Sequence, residues 1–429
     1  MRNNEQNSRT RKESGTLAVI GGGPSGLFAA ITAAAEAKKT GDRPVIRVYD
    51  KNEKPARKIL VSGNGRCNLS NVSVSAGHYP GVEARWFDTV YGQLSNEALS
   101  AFFRENGLLL KTDAAGRVYP MSGQASAVQD LLLFLCAAAG VVIVPGTEIV
   151  SVERKGGGYL LNGSIAADRV IFACGSAAAP RNGGKDSLRL INALGVETTP
   201  FLPALAPIKI RQFSKNQLKG VRAEGEISVW VSGECIAKDR GELQYTEYGL
   251  SGIPAMQVSG EAAKAAAAGA VPEIRVDSLP GTDEQALLRH FDKGAVSVPE
   301  MPVLTFLSGM FPRRLAGFFI RQGGISPETA VGALPASWKR RIIQSVKRCS
   351  YPFESVCGFA EAQVASGGVP AAALDPCTLE LTGAPGCFVC GEMADVVGEC
   401  GGYNLQWAWS SGFVAGKHAA RRKYVDPDQ

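Results

Sequence analysis

Leu17-Ala18-Val19-Ile20-Gly21-Gly22-Gly23-Pro24-Ser25-Gly26-Leu27-Phe28-Ala29-Ala30 joins four apolar residues, three spaced glycines and the start of an Ala-rich helix. Buried strand, Gly-x-Gly-x-x-Gly turn and helix, in that order, are what a dinucleotide site needs. Gly21 allows the tight turn, Gly23 lets a pyrophosphate approach bare backbone, and Gly26 lets helix and strand pack closely. Pro24 and Ser25 stand at the helix start, where free N–H groups and the helix dipole favour a phosphate. Outward from the turn, Val45-Ile46-Arg47-Val48-Tyr49-Asp50 reads as the second strand, and Asp50 follows Gly26 by 24 positions. That is close to the spacing at which a carboxylate reaches the adenosine ribose hydroxyls, and an unphosphorylated ribose is the better fit.

A chain of 429 residues exceeds what one core fills, so at least two domains are expected. Hydrophobic content of 45% and charged content of 20% fit an α/β enzyme and exclude extended disorder. The net charge of +6, from 46 basic and 40 acidic residues, is too balanced to favour nucleic acid as a partner. Lys339-Arg340-Arg341 with Lys347-Arg348 reads as the solvated face of a helix. No apolar run reaches the roughly 18 residues of a spanning helix, so no membrane partner is expected. Residues 1–15 are polar, lack the apolar region of a secretory signal and read as a disordered lead. Ten cysteines scattered along the chain suit a reducing compartment, and a cytoplasmic location is expected. Cys387-x-x-Cys390 lies in an apolar strand whose alternation sends the two thiols to opposite faces. Structural thiols are therefore favoured over a dithiol centre, and with no second such pair no metal site is assigned.

Beyond Asp50 runs Lys51-Asn52-Glu53-Lys54-Pro55-Ala56-Arg57-Lys58, then Ile59-Leu60-Val61-Ser62-Gly63-Asn64-Gly65-Arg66-Cys67-Asn68. Its cations, amide donors and bare glycine backbone suit a phosphate-bearing ligand, and a plain surface loop is the alternative. Helical spacing marks 97–106 and 125–139, and 141–144 is a short strand. Residues 148–153, 158–161 and 169–173 read as three strands of a small meander. The last opens through Ala173 and Cys174 onto Gly175-Ser176, a pair small enough for close approach to a ligand. Pro200, Pro203 and Pro207 mark a boundary. After it, 225–231, 234–238 and 242–245 read as short strands, and 283–291, 304–321 and 327–346 as helices.

These words together resemble one family. Arg57 to Asn68, Gly241 to Gly252, Gly358 to Pro370 and Cys387 to Ala408 are similar to segments of the BaiN/YhiN-type flavoproteins, the aminoacetone oxidase and 3-dehydro-bile-acid reductase group. The resemblance implies that the Arg57–Asn68 loop lies along an FAD cofactor, with Arg57, Lys58, Ser62, Gly63, Asn64, Gly65, Arg66, Cys67 and Asn68 as contacts. Gly391-Glu392 delivers a small residue and a carboxylate suited to a ribityl chain. Gly401-Gly402-Tyr403-Asn404 opens a helix whose positive end could meet the flavin edge where negative charge gathers on reduction. The chain departs from the family pattern at Glu247, where a His is common, and at Val397, where an acid is common.

The expected fold is α/β: a Rossmann-like FAD-binding domain of the two-dinucleotide-fold flavoprotein type over 16–198 and 358–425, with an insertion at 199–357. That insertion holds a β-barrel part at about 199–275 and 345–357 and a helical part at about 276–344. The expected reaction is hydride transfer through flavin N5 between NAD(P)H, as a transient reductant, and a small enone- or carbonyl-like substrate. Glu247, Tyr248 and Tyr403 are the candidate proton or positioning groups. A redox-silent FAD-binding protein, an RNA-modification-associated flavoprotein and a thiol–disulfide flavoenzyme are the other readings.

Overall fold

The structure, a computed structural model, describes residues 15–178, 187–211, 213 and 217–421. The expected lead at 1–15 lies, but for Gly15, outside the described residues. The chain divides into two compact units, Met1–Phe201 with Gly367–Gln429, and Leu202–Ser366.

The first unit is built on a six-stranded sheet in the spatial order 380–381, 384–389, 169–172, 16–20, 45–49, 142–144. All neighbours are parallel except the antiparallel edge strand Glu380–Leu381. Both faces are covered, and the alternation of each strand shows it. Leu17 and Val19 enter one core with Ile171, Phe388 and Cys390, while Ala18 and Ile20 enter the other with Val170, Phe172 and Cys387. A parallel strand buried on both faces reads as an unbroken apolar run, which is why these segments stand out in the sequence. From β1 (Thr16–Ile20) the chain turns through the glycines into α1 (Pro24–Thr40) and returns in β2 (Val45–Tyr49). Proline at the first helical position and Gly41 at φ 77° beyond the last turn bound α1.

The meander differs from expectation. Its third strand is Ile165–Ala167, after Val152–Lys155 and Gly158–Leu161, whereas Arg169–Phe172 belongs to the parallel sheet beside β1. The run Val170-Ile171-Phe172 is fully buried, as a strand covered on both sides must be, and the shorter Ile165-Ala166-Ala167 resembles a turn by composition alone.

The second unit is a closed barrel in the order 208–210, 249–251, 234–245, 222–231, 273–277, 349–356, with helices Ile253–Ala267, Glu284–Ser297, Val303–Ser308, Arg313–Gln322 and Ala336–Lys347. One hydrophobic core joins barrel and helices. Residues 234–238 and 242–245 are one strand, Glu234–Tyr245, paired along its length with Arg222–Val231. Its polar middle, Lys238-Asp239-Arg240-Gly241, looks like a turn but belongs to an outward-facing hairpin. The expected helix at 304–321 is broken between Ser308 and Arg313, where Gly309 and Pro312 end one helix and cap the next. The basic run is only partly a solvated face. Lys339 is buried against Asp292 and Lys347 pairs with Asp277, leaving Arg340, Arg341 and Arg348 exposed.

Candidate active site

The three glycines of the turn meet different neighbours. A side chain on Gly21 would strike the Ala173 carbonyl and one on Gly26 the Gly21 carbonyl, so both serve packing; a side chain on Gly23 would meet nothing within 4 Å. Gly23 thus presents open backbone at the start of α1, and no side chain caps that helix. Asp50, at the end of β2, is buried and locked to the turn. Its Oδ2 accepts the Gly22 N–H at 2.8 Å and its Oδ1 accepts the Asn52 backbone N–H at 2.8 Å and side-chain amide at 2.9 Å. The carboxylate expected to read a sugar also fixes the loop, a role that spacing does not reveal.

The Lys51–Asn68 segment straps across this turn. The Ala56 N–H donates to the Gly22 carbonyl at 2.7 Å, and α2 (Arg57–Val61) follows. Positive φ at Ala56, Gly63, Asn64, Gly65 and Cys67 winds the rest into a tight coil. Lys51, Arg57, Asn64 and Arg66 are exposed. The Arg66 guanidinium lies 4.8 Å from the Tyr119 ring centroid, and the Ser62 hydroxyl donates to the Ile59 carbonyl at 2.6 Å. The Cys67 side chain is fully buried and burial pushes its thiol up to about 12, so only its backbone is left to face a ligand. The Asn68 Oδ1 is buried with no hydrogen-bond partner, and Gly402 lies beside it.

The last helix, Tyr403–Ala419, brings the late part of the chain to the early part. Side chains at Gly412 and Gly416 would strike the carbonyls of Ser25 and Ala29, so the helices lie side by side and run in the same direction. Matching 412 with 25 places the start of the last helix about 12 Å ahead of the start of α1, at 1.5 Å per residue. Neither start has a side-chain cap. Gly391 sits against the Ser25 side chain at φ 67°. Beside it, Glu392 accepts from Lys58 Nζ at 2.6 and 2.7 Å and from the Ser176 hydroxyl at 2.5 Å. Three expected contacts, Lys58, Gly391 and Glu392, are therefore gathered near the glycine turn, with Ala173 donating its N–H to Ile20. Gly175, at φ 71°, has open space on its Cα.

Several anchors hold the helix start. Trp407 and Trp409 donate their indole N–H groups to the Gly391 and Leu69 carbonyls, each at 3.0 Å. Gln406 is fully buried and joins Ser70, Ser410 and the Leu94 carbonyl. Asn404 folds the preceding loop through the Gly398 N–H and carbonyl, and Asn71 holds the Gly401 carbonyl. Gly401 and Gly402 take φ of 132° and 105°. Tyr403 is buried, which pushes its hydroxyl upward, and the His78 ring stacks on it at 4.2 Å and 12°. His78 is a residue that sequence reasoning missed; a lone His in a polar loop carries no pattern.

Glu247 and Tyr248 lie in the other unit, on a turn organised by the Thr246 hydroxyl, which accepts the Tyr248 and Gly249 N–H groups. Glu247 is exposed and ion-paired with Lys219 at 2.7 Å. Burial pushes the Tyr248 hydroxyl upward. Cys387 and Cys390 face opposite cores and burial pushes both thiols up to about 12, the arrangement their spacing predicts. Among the described residues no three metal-ligating side chains cluster, and no helix is long and apolar enough to cross a membrane.

Residues 15–418 match the HI0933-like protein Rossmann domain. The chain belongs to that family. It is 35% identical to the 3-dehydro-bile acid delta(4,6)-reductase of Clostridium scindens, over 95% of this chain and 99% of the relative. It is 24% identical to the ribosomal RNA dihydrouridine synthase of Haemophilus influenzae, over 94% and 98%. With the same enzyme of Escherichia coli the identity is 25%, over 92% and 96%. HI0933-like membership and the likeness to the Clostridium reductase confirm the expected resemblance and place this protein among the BaiN-like flavoprotein oxidoreductases.

Proposed function

We propose that this HI0933-like protein is an FAD-dependent reductase of carbon–carbon double bonds conjugated to a carbonyl, supplied with hydride by NAD(P)H. The observation that carries the reading is the pair of uncapped helix starts, one from each end of the chain, set about 12 Å apart along a shared direction with Glu392 beside the earlier one. A ligand with a pyrophosphate at one end and a ring that collects negative charge at the other fits that spacing. The open face of Gly23 and the unsatisfied Asn68 Oδ1 beside Gly402 support the same ligand.

Bound there, FAD supplies a two-electron hydride carrier. The chain does the rest. Ser25 and Gly26 N–H groups, without intrahelical acceptors, bind phosphate, and those of Tyr403, Asn404 and Leu405 meet negative charge at the ring. Lys58 and Ser176 fix the Glu392 carboxylate to accept from sugar hydroxyls. Arg57 and the coil of Ser62 to Cys67 border the phosphates. The Tyr403 hydroxyl, whose ionisation burial opposes, and the stacked His78 are the proton-transfer or positioning groups of this unit.

The substrate class rests on what the relatives' names share. Dihydrouridine is uridine with two hydrogens added to a ring double bond in conjugation with a carbonyl. A delta(4,6)-reductase of a 3-dehydro compound acts on double bonds in conjugation with a ketone. Anaerobic reduction of the yellow protein by NADH and NADPH, then reoxidation by a 3-oxo-4-ene steroid, simple enones, a uridine-containing RNA and oxygen, tests this. Fast reoxidation by an enone is the expected result. Protein that stays colourless after soaking with FAD would overturn the reading. Turnover of the RNA alone would overturn the small-molecule part of it.

A further inference from the structure

The barrel unit contains a cavity for which the flavin chemistry has no use. It measures about 570 Å³ and is lined by the buried Ile210, Phe318 and Tyr351 and by the exposed Arg211, Arg341 and Arg348. Phe318 lies parallel to Tyr351 at 6.4 Å, and this apolar pair lines the same cavity as the three arginines. Arg348 pairs with Glu284 at 3.0 Å. Arg211 and Arg341 have no side-chain partner among the described residues. From Pro312 to Tyr351 the sequence carries eight Lys and Arg against a single acid, Glu328, and with Asp292, Asp277 and Glu284 from outside the stretch pairing Lys339, Lys347 and Arg348 the balance stays positive. The Tyr351 hydroxyl is buried against Tyr245 and Cys349, so the residue contributes its ring to the cavity.

Each feature selects a different part of one ligand. Unpaired guanidiniums beside a concave mouth recognise a carboxylate, sulfonate or phosphate, which they grip through paired N–H donors. An apolar wall takes a ring or chain body, and the volume is that of a single small molecule. We propose that this cavity is a binding site for a small amphipathic organic anion, with its apolar body on Ile210 and Phe318 and its acidic head between Arg211 and Arg341. The site is argued from the barrel unit alone and stands whether or not the protein carries a flavin.

The probe is 8-anilinonaphthalene-1-sulfonate, an aromatic sulfonate whose fluorescence rises in apolar surroundings, titrated into the full chain as purified. Its neutral analogue N-phenyl-1-naphthylamine is the control. Both arginines are exposed, so Arg211→Gln/Arg341→Gln should fold, with an unchanged melting temperature and flavin content. The double variant is expected to bind the sulfonate about tenfold or more weakly and the amine within about twofold of the native protein. Arg341→Glu should weaken the sulfonate further. Equal sulfonate affinity in the native protein and the double variant would overturn the proposal, as would parallel loss of both probes. A single-stranded oligouridylate that displaces the sulfonate when octanoate and naphthoate do not would overturn it in favour of a nucleic-acid surface.

Discussion

Gly23 and Gly26 belong to one motif yet answer to different neighbours, and substitution separates them. Gly23→Ala puts a methyl into open space at an allowed φ of −77°, so the flavin-free protein should lose less than about 1 kcal/mol, while bound flavin falls sharply. Gly26→Ala drives a methyl into the Gly21 carbonyl and should cost about 1–3 kcal/mol with or without cofactor. Flavin absorbance per protein and thermal melting of the flavin-free forms distinguish the two. The cysteines give a second residue-scale test. Cys235 and Cys377 are exposed and should react at once with a disulfide reagent at pH 8, whereas Cys67, Cys387 and Cys390 should react only on unfolding. Rapid reaction of Cys387 and Cys390 in the folded protein would revive a dithiol mechanism. The opposed faces of those two thiols were legible because a strand has period two. The Asp50 bond to Gly22 was not, because a spacing says where a carboxylate arrives and not what it holds.

Among the elements, the contact between α1 and the last helix sets the candidate site. It depends on Gly412 and Gly416 meeting the backbone of Ser25 and Ala29 without side chains between them. Gly416→Val must push the helices apart, with a cost above about 3 kcal/mol and loss of flavin, read by urea unfolding and absorbance. The strands of the parallel sheet were readable as apolar runs, and the start of α1 from the glycine turn before it. The joining of early and late chain was expected from family resemblance. The four-residue glycine spacing on the last helix carries that information in plain view, but nothing in one sequence says which surface it meets. The long hairpin of the barrel was misread for the opposite reason: its outward face is polar, and polarity in a strand exposed on one side imitates a turn.

At the scale of the molecule, buried acids make stability depend on pH at the alkaline end. The thiols of Cys67, Cys136, Cys174, Cys387 and Cys390 are pushed from 9.0 to about 12 by burial. Below about 9 they are protonated in folded and unfolded chains alike and their contribution is fully present. Between about 9 and 12 the unfolded chain releases protons that the folded chain retains, so stability falls. The urea midpoint should therefore drop between pH 8 and pH 10.5, and replacing Cys136 with Ala should reduce that slope. Little of this was visible in composition, which counts ten cysteines without saying which are enclosed.

The order in which the sheet receives its strands bears on synthesis. Arg169–Phe172 lies between β1 and Ala384–Val389, strands that are made at opposite ends of translation. Until the ribosome has added more than two hundred further residues, a strand that is apolar but for Arg169 stands with one row of amides and carbonyls bare, open to pairing with another nascent chain. Production at high translation rates should favour inclusion bodies, and a holding chaperone supplied together with the message should raise the recovered yield.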